Sequence, residues 1–483
     1  MQRQGFMLKI VQVKCGTAYP SSITLERIKS NKSSEQEAAD MTEPRVPVST
    51  VSFIDNYCAV YQHLFCEVRS YEAFKWLHLG MISEIPRKSL PTIARSVGLT
   101  NEQALLHFLT ESPWEVQAVR RLILSLILTV LKGRSITLII DETGDRKKGN
   151  STDYVSRQYI GNLGKVDNGI VSVNTYGLID GIAFPLSFKI YKPKQRLKPG
   201  DVYKTKPQLA AEIISELIEL GFKFELVLAD SLYGESETIV SILNHYKFKF
   251  ILAIRSNHAV WLPPGQRVRY NKWRKFNRVF SNGKAEIRYI REIILGKRQI
   301  IRYWQITTDL IEVPDNSTWF VMSNLENATA AEIGNNYGLR TWVEYGFKHC
   351  KNHLGWADFR VTEYRQIERW WELICSAYLM VSLQFNSLHQ QSHQTRDPQQ
   401  IDLFHKLSRH PWWSQDDGWK HRLNNLQLII QPYIYYCLIK PWLKVFDNWY
   451  LRVGFRWLIS IMNEYIGWVL TPQQLQDLNL SSA

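Results

Sequence analysis

The sequence predicts an α/β core with helical regions on either side of it. Two observations predict the core. The apolar runs Ser135–Ile140 and Phe224–Ala229 read as buried strands, each running into an aspartate, Asp141 and Asp230, and the stretch between them supplies a hairpin and an amphipathic helix. A third observation predicts the flanks: apolar residues recur at spacings of three and four before residue 131 and again from Ile367 onward. With 483 residues there is room for about three structural units. Apolar (45%) and charged (22%) usage excludes global disorder and collagen-like or coiled-coil composition. A net charge of +14 beside 17 Trp, 23 Tyr and 20 Phe suits a nucleic-acid partner, although the rings serve a core equally well. Six cysteines without CxxC or Cys/His zinc spacing argue against disulfides and structural zinc, and they fit a reducing compartment. The apolar run Leu122–Leu131 falls well short of the roughly 18 residues of a membrane span, so a soluble intracellular protein is expected.

Taken in order, residues 1–45 contain the polar stretch Lys29–Glu37 and are expected to form a disordered tail. Past Pro47, the residues Phe53, Tyr57, Val60, Tyr61, Leu64, Phe65 and Val68 fall on one helical stripe. Ser89–Gln103 reads as a short helix, a turn at Gly98 and a second helix opened by a Thr100/Gln103 capping box. A helix-turn-helix and an ordinary helical hairpin fit that pattern equally. Ser112 and Glu115 form a second capping box, with Pro113 at the first helical position, and open a helix to Leu131. Strand Ser135–Ile140 then ends at Asp141. Residues 169–180 and 181–192 pair through the Asp180-Gly181 turn, and Pro207–Leu220 is a helix closed by Gly221. Strand Phe224–Ala229 ends at Asp230, and a short helix and strand Phe248–Ile254 follow. Ligands of open α/β sheets gather at the carboxyl edge, where both aspartates lie. Residues 256–318 lose the helical pattern and read as a β-rich insertion, with twelve Lys/Arg against two acidic residues between Gly265 and Tyr303. Trp319–Met322 is another strand-like run, and one long helix is predicted over Thr329–Leu354.

The chemistry concentrates on that helix. At 100° per residue, Tyr337, Arg340, Glu344 and Lys351 project within an arc of about 60°, with Lys348 beside them. Leu339, Trp342, Val343, Gly346 and Cys350 form the opposite, sheet-facing side. The polar row is about 21 Å long, which suits a stretch of phosphate backbone. A solvated face held by pairs such as Glu344–Lys348 fits the same pattern. Asp141 and Asp230 add weight to the first reading, because a carboxylate ending a buried strand is costly unless it is paired, capping or metal-bound. Together with Glu344 they make a hard-oxygen site for two Mg²⁺, with Mn²⁺ as a substitute. Such ions sit about 3.5–4 Å apart and clamp the attacking and leaving oxygens of an in-line phosphoryl transfer. His349 and His353 lack a third ligand in the sequence and are read as structural.

These residues resemble a known pattern. Tyr337-(2)-Arg340-(3)-Glu344-(6)-Lys351 is similar to the Y-(2)-R-(3)-E-(6)-K signature of DDE transposases from bacterial insertion sequences. Asp141–Gly149 (DETGDRKKG) resembles the first-aspartate motif of one branch, usually D-D-T-G-x-x-K-K-G, with Glu142 where a second Asp is common. Arg157–Tyr159 with Gly164–Asn168 resembles a companion stretch, and Leu228–Gly234 the second-aspartate motif. The likeness runs from about residue 50 to 365. It implies a ribonuclease-H-like catalytic core interrupted by a β-rich insertion, with Asp141, Asp230 and Glu344 as the metal-binding catalytic triad. It further implies that Tyr337, Arg340 and Lys351 hold transposon-end phosphates, to which Lys348, Lys147 and Lys148 are added as DNA contacts. Trp319 matches the position of a tryptophan that stacks a flipped base in similar enzymes; a core tryptophan on a strand fits it equally.

The expected division is thus a tail (1–45), a helical and helix-turn-helix-like DNA-binding region (46–115), the first part of the catalytic core (116–255), the basic insertion (256–318), the second part of the core (319–365) and a helical C-terminal region (366–483). The expected activity is cut-and-paste DNA transposition. Hydrolysis at the element's end frees a 3′-hydroxyl, which then attacks the other strand or the target. The expected partners are double-stranded DNA, as terminal inverted repeats and target, and a second copy of the chain on paired ends; the expected place is the bacterial cytoplasm, at the nucleoid. A catalytically silent, transposase-derived DNA-binding protein and a non-mobile nuclease are the alternatives.

Overall fold

Apolar strands flanked by amphipathic helices build one mixed sheet covered by helices in the computed structural model, which describes residues 45–260, 262, 264–280, 284–295, 300–390, 406–416 and 418–465. Nearly all of the expected tail lies outside the described residues. Among the described residues five α-helices come first: α1 (Ser52–Ala59), α2 (Val68–Ile82), α3 (Leu90–Ser96), α4 (Gln103–Thr110) and α5 (Val116–Leu131). Strands β1 (Ile136–Arg146), β2 (Ser156–Ile160), β3 (Lys165–Ile179) and β4 (Ile182–Ile190) follow, then α6 (Lys206–Glu219), β5 (Phe224–Ala229), the single turn α7 (Ser231–Gly234), α8 (Glu237–His245) and β6 (Phe250–Ile254). The basic segment holds β7 (Val268–Tyr270), β8 (Arg274–Val279), β9 (Ala285–Leu295) and β10 (Arg302–Thr307), and β11 (Trp319–Ser323) closes it. Helices α9 (Ala330–Gly338), α10 (Trp342–Asn352), α11 (Tyr364–Gln390), α12 (Trp419–Val445) and α13 (Trp449–Tyr465) complete the order.

The sheet runs β2-β3-β1-β5-β6-β11-β10-β9-β7, with β4 also on β3 and β8 also on β9. β1 pairs antiparallel with β3 and parallel with β5, β5 is parallel to β6, and β11 joins β6 to β10 antiparallel. The basic segment is therefore continuous with the rest of the sheet. Asp180 (φ 49°) and Gly181 (φ 72°) both sit in the left-handed region and turn β3 into β4, as the Asp-Gly signal requires. One large apolar cluster joins α1–α5 to α11 and α12 beneath one face of the sheet, and a second lies under α9 and α10 on the other.

Several elements depart from expectation. β1 does not stop at Asp141 but continues to Arg146, because β3 goes on pairing it after β5 has ended. β3 begins at Lys165 and not near 169, since β2 supplies a partner for its first residues. The stripe Phe53–Val68 is split between α1 and α2, with a 3₁₀ turn at Gln62–Leu64. Neither expected capping box forms. Asn101 Oδ1, not Thr100, accepts from Gln103 N (3.1 Å). At 112–115 the buried Arg369 guanidinium draws the carbonyls of Ser112 and Trp114 to itself (2.6 and 2.7 Å), so α5 starts only at Val116. The helix expected over 329–354 is broken by a 3₁₀ turn, Leu339–Thr341, although Thr329 and Glu332 do cap its start.

Candidate active site

Asp141 and Asp230 are brought side by side by strand register. The last parallel-paired residues of β1 and β5 are Ile140 and Ala229, so the aspartates are the next residue on each of two neighbouring strands, roughly 4.8 Å apart in backbone spacing. Asp230 ends its strand by capping α7, accepting from Leu232 N at 2.9 Å. Burial raises the pKa of both carboxyls, that of Asp141 to about 7, while the nearby Arg340 guanidinium opposes the rise.

Glu344 comes from α10 and is 60% exposed at its side chain. Arg340, in the 3₁₀ turn before it, reaches both ways: its Nη1 donates to Asp141 Oδ2 at 3.0 Å and its Nη2 lies 3.6 Å from Glu344 Oε1. Burial disfavours the charge on Arg340, but Tyr337, Asp141, Asp230 and Glu344 outweigh it and raise its pKa. Two of the three expected metal ligands, Asp141 and Glu344, thus flank one cation, a guanidinium, and Asp230 lies beside Asp141. Among the described residues no three carboxylate, His or Cys side chains close into a metal-binding group. The physical reason is Arg340, which stands between Asp141 and Glu344. The donor set nevertheless suits a hard divalent ion: all oxygen, two carboxylates partly buried, and a cation already beside them.

The break at Leu339–Thr341 also upsets the helical-wheel arithmetic. Tyr337 is buried at 7% exposure and is hydrogen-bonded to the Arg340 side chain, not open to a ligand. Lys351 is turned inward, donating to the Gly144 carbonyl (2.7 Å) and pairing with Asp145 Oδ1 (2.9 Å). The expected polar row is therefore open only at Glu344 and Lys348. Its opposite side behaves as predicted: Val343, Gly346 and Cys350 are buried, and Gly346 lets α10 press so closely on β3 that a Cβ would overlap the Tyr176 ring. Of the remaining expected DNA contacts, Lys148 is exposed, and Lys147 lies over the Phe359 ring with burial lowering its pKa to about 8. One face of Trp319 is taken by the Arg288 guanidinium, 4.3 Å from the ring centroid.

Three features were not anticipated. Along β1 side chains alternate, so Asp141 and Asp145 face α10 whereas Glu142 faces the other way. There Lys206 Nζ (2.7 Å) and the Tyr233 hydroxyl (3.4 Å) donate to Glu142. The spacing Asp141-x-x-x-Asp145 carried this signal, since it places two acids on one strand face, but the strand was read as ending at Asp141. Arg278 of the insertion donates to Gly338 O (3.3 Å) and Thr341 Oγ1 (3.4 Å), tying β8 to the turn that carries Arg340. Nothing in the sequence signalled that contact.

The family model for a DDE superfamily endonuclease matches residues 63–282. A probable transposase for insertion sequence element IS701 from Microchaete diplosiphon is 60% identical over 329 residues, which is 68% of this chain and 87% of that relative. The chain belongs to the DDE transposases of insertion sequences. In this transposase Asp141, Glu142, Asp230 and Lys206 fall inside the family match, while Glu344 and Arg340 lie beyond it. Among the described residues no helix is long and apolar enough to cross a membrane.

Proposed function

We propose that this transposase cuts the phosphodiester at the ends of its insertion sequence and joins the freed 3′-hydroxyl to a new strand, with Asp141, Asp230 and Glu344 as ligands of two divalent ions, Mg²⁺ or Mn²⁺. Bound ions of this kind activate the attacking oxygen and neutralise charge developing on the displaced one. The single observation that carries the proposal is that Arg340 reaches both Asp141 and Glu344, while strand register sets Asp230 beside Asp141.

The chain's own residues divide the work. Asp141 and Asp230 are fixed by backbone register and by N–H donors from Glu142 (2.8 Å) and Leu232 (2.9 Å), so their positions cost no reorganisation when a substrate arrives. Arg340 neutralises them at rest and is the group nearest to exchange their company for a DNA phosphate, the role its place in the signature implies. Lys148, Lys348 and the cations of the insertion contact the backbone and give affinity that falls steeply with salt. The strand order β4-β3-β1-β5-β6, antiparallel on one side of β1 and parallel on the other, supports the ribonuclease-H-like assignment with β7–β10 as its insertion. The helix-turn-helix-like pair α3–α4 reads the terminal repeats, and the active form is a dimer on paired ends.

A nicking and strand-transfer assay on duplex DNA from the flanks of the reading frame tests this reading. Wild-type protein is expected to cut only with a divalent ion, and Glu344→Gln to cut at least about a thousandfold more slowly with its fold intact. Metal-dependent cutting that survives in Glu344→Gln contradicts the assignment.

A further inference from the structure

The C-terminal helices have no role in the reading above, yet α12 touches its DNA-reading element. The turn between α3 and α4 sits against this helix: a Cβ on Gly98 (φ +81°) would lie 3.1 Å from the Cys437 sulfur. Beside that contact opens a cleft of about 490 Å³, walled on one side by Arg95, Thr100 and Asn101 and on the other by Lys440, Trp442 and Lys444. Arg95, Lys440 and Lys444 have no carboxylate within salt-bridge distance among the described residues, although Glu102 also lines the cleft. Lys440 and Lys444 are one helical turn apart, about 6 Å along the axis, so both project to the same side of α12. Trp442 at the rim is 67% exposed, and its ring stacks on that of Phe446 (centroids 6.3 Å).

We propose that α12 is the second wall of the DNA-binding surface, with Lys440 and Lys444 gripping the phosphate backbone of the duplex whose grooves α3–α4 approach. Unpaired cations on both walls demand a polyanion, and the spacing of the two lysines matches successive phosphates better than the scattered charges of a peptide. The hydroxyl of Thr100 and the amide of Asn101 stand at the start of α4, where a second helix of this kind meets base edges and phosphates. The proposal rests on α3–α4 being the DNA-reading element, and it adds a region that the family match, ending at residue 282, does not contain.

The test is binding of full-length Lys440→Ala/Lys444→Ala protein to fluorescein-labelled duplex from the flank of the reading frame, over a range of salt concentrations, beside a Gln103→Ala/His107→Ala variant on the exposed face of α4. Roughly tenfold weaker binding by the lysine variant, with a salt slope shallower by about two and an unchanged melting temperature, is the expected result. Wild-type affinity and slope in the lysine variant, with repeat preference lost in the α4 variant, overturns the proposal and leaves the DNA-reading role of α3–α4 standing. Wild-type behaviour in both variants overturns the two together. Unchanged DNA binding accompanied by loss of self-association in the lysine variant overturns it in favour of a second copy of the chain as the occupant.

Discussion

Two cation–carboxylate pairs join the signature segment to β1, one at each end, and they are not alike. Lys351 with Asp145 is enclosed: Asp145 is buried, and the ammonium is further held by the Gly144 carbonyl. Arg340 with Asp141 is shared: the same guanidinium also faces the exposed Glu344 and feels Asp230. The span from Arg340 to Lys351 is about 16 Å at helical rise, and the span from Asp141 to Asp145 is about 13 Å at strand rise, so a helix lying along a strand makes both pairs at once. The enclosed pair reads as a strut that sets the register. The shared pair holds carboxylates whose charge is incompletely offset, which is the condition for taking up another cation.

The largest expected effect separates the two ends by chemistry. Glu344→Gln loses cutting by about a thousandfold or more, whereas Asp145→Asn retains it within roughly tenfold; comparable losses in both would erase the distinction. Next comes stability. Lys351→Ala strands the buried Asp145 carboxylate and is expected to cost about 3–5 kcal/mol in denaturant unfolding, with no recovery on adding Mg²⁺. Arg340→Ala also destabilises the protein but recovers as Mg²⁺ is added, because the ion binds only the folded site. Equal responses to Mg²⁺ would contradict the account. A smaller effect comes from a buried histidine of the helical shell. His78 is wholly buried between the Phe74 carbonyl and Ser376 Oγ (both 2.8 Å), and burial lowers its pKa from 6.5 to about 4. The unfolded chain therefore binds the extra proton first. This contribution is complete above pH 6.5 and declines as pH falls to 4, by about 3 kcal/mol, and a His78→Asn variant should flatten that acid slope of unfolding free energy.

Much of this was legible in the residues. Apolar runs, the Asp180-Gly181 turn and the amphipathic stretch closed by Gly221 found the core strands, the hairpin and α6, because local period and turn chemistry decide those elements. Asp141 and Asp230 were named from strand ends and Arg340 and Glu344 from spacing; the fold sets the two aspartates side by side and Arg340 against Asp141 and Glu344. What spacing could not supply was direction. The wheel drawn at 100° per residue assumed an unbroken helix, and the 3₁₀ turn at Leu339–Thr341, held by Arg278 from a strand some sixty residues earlier in the chain, is a tertiary effect. The missed cap at Ser112 has the same origin, since Arg369 arrives from elsewhere to take its carbonyl, whereas at Thr100 the competitor is the neighbouring Asn101.

The central claim is that Asp141, Asp230 and Glu344 hold metal together. Mn²⁺ titration of the DNA-bound protein, followed by electron paramagnetic resonance, tests it most directly. Weaker binding by at least about tenfold in both Asp230→Asn and Glu344→Gln, with Asp145→Asn like wild type, is the predicted result. Wild-type Mn²⁺ affinity in Glu344→Gln would contradict it.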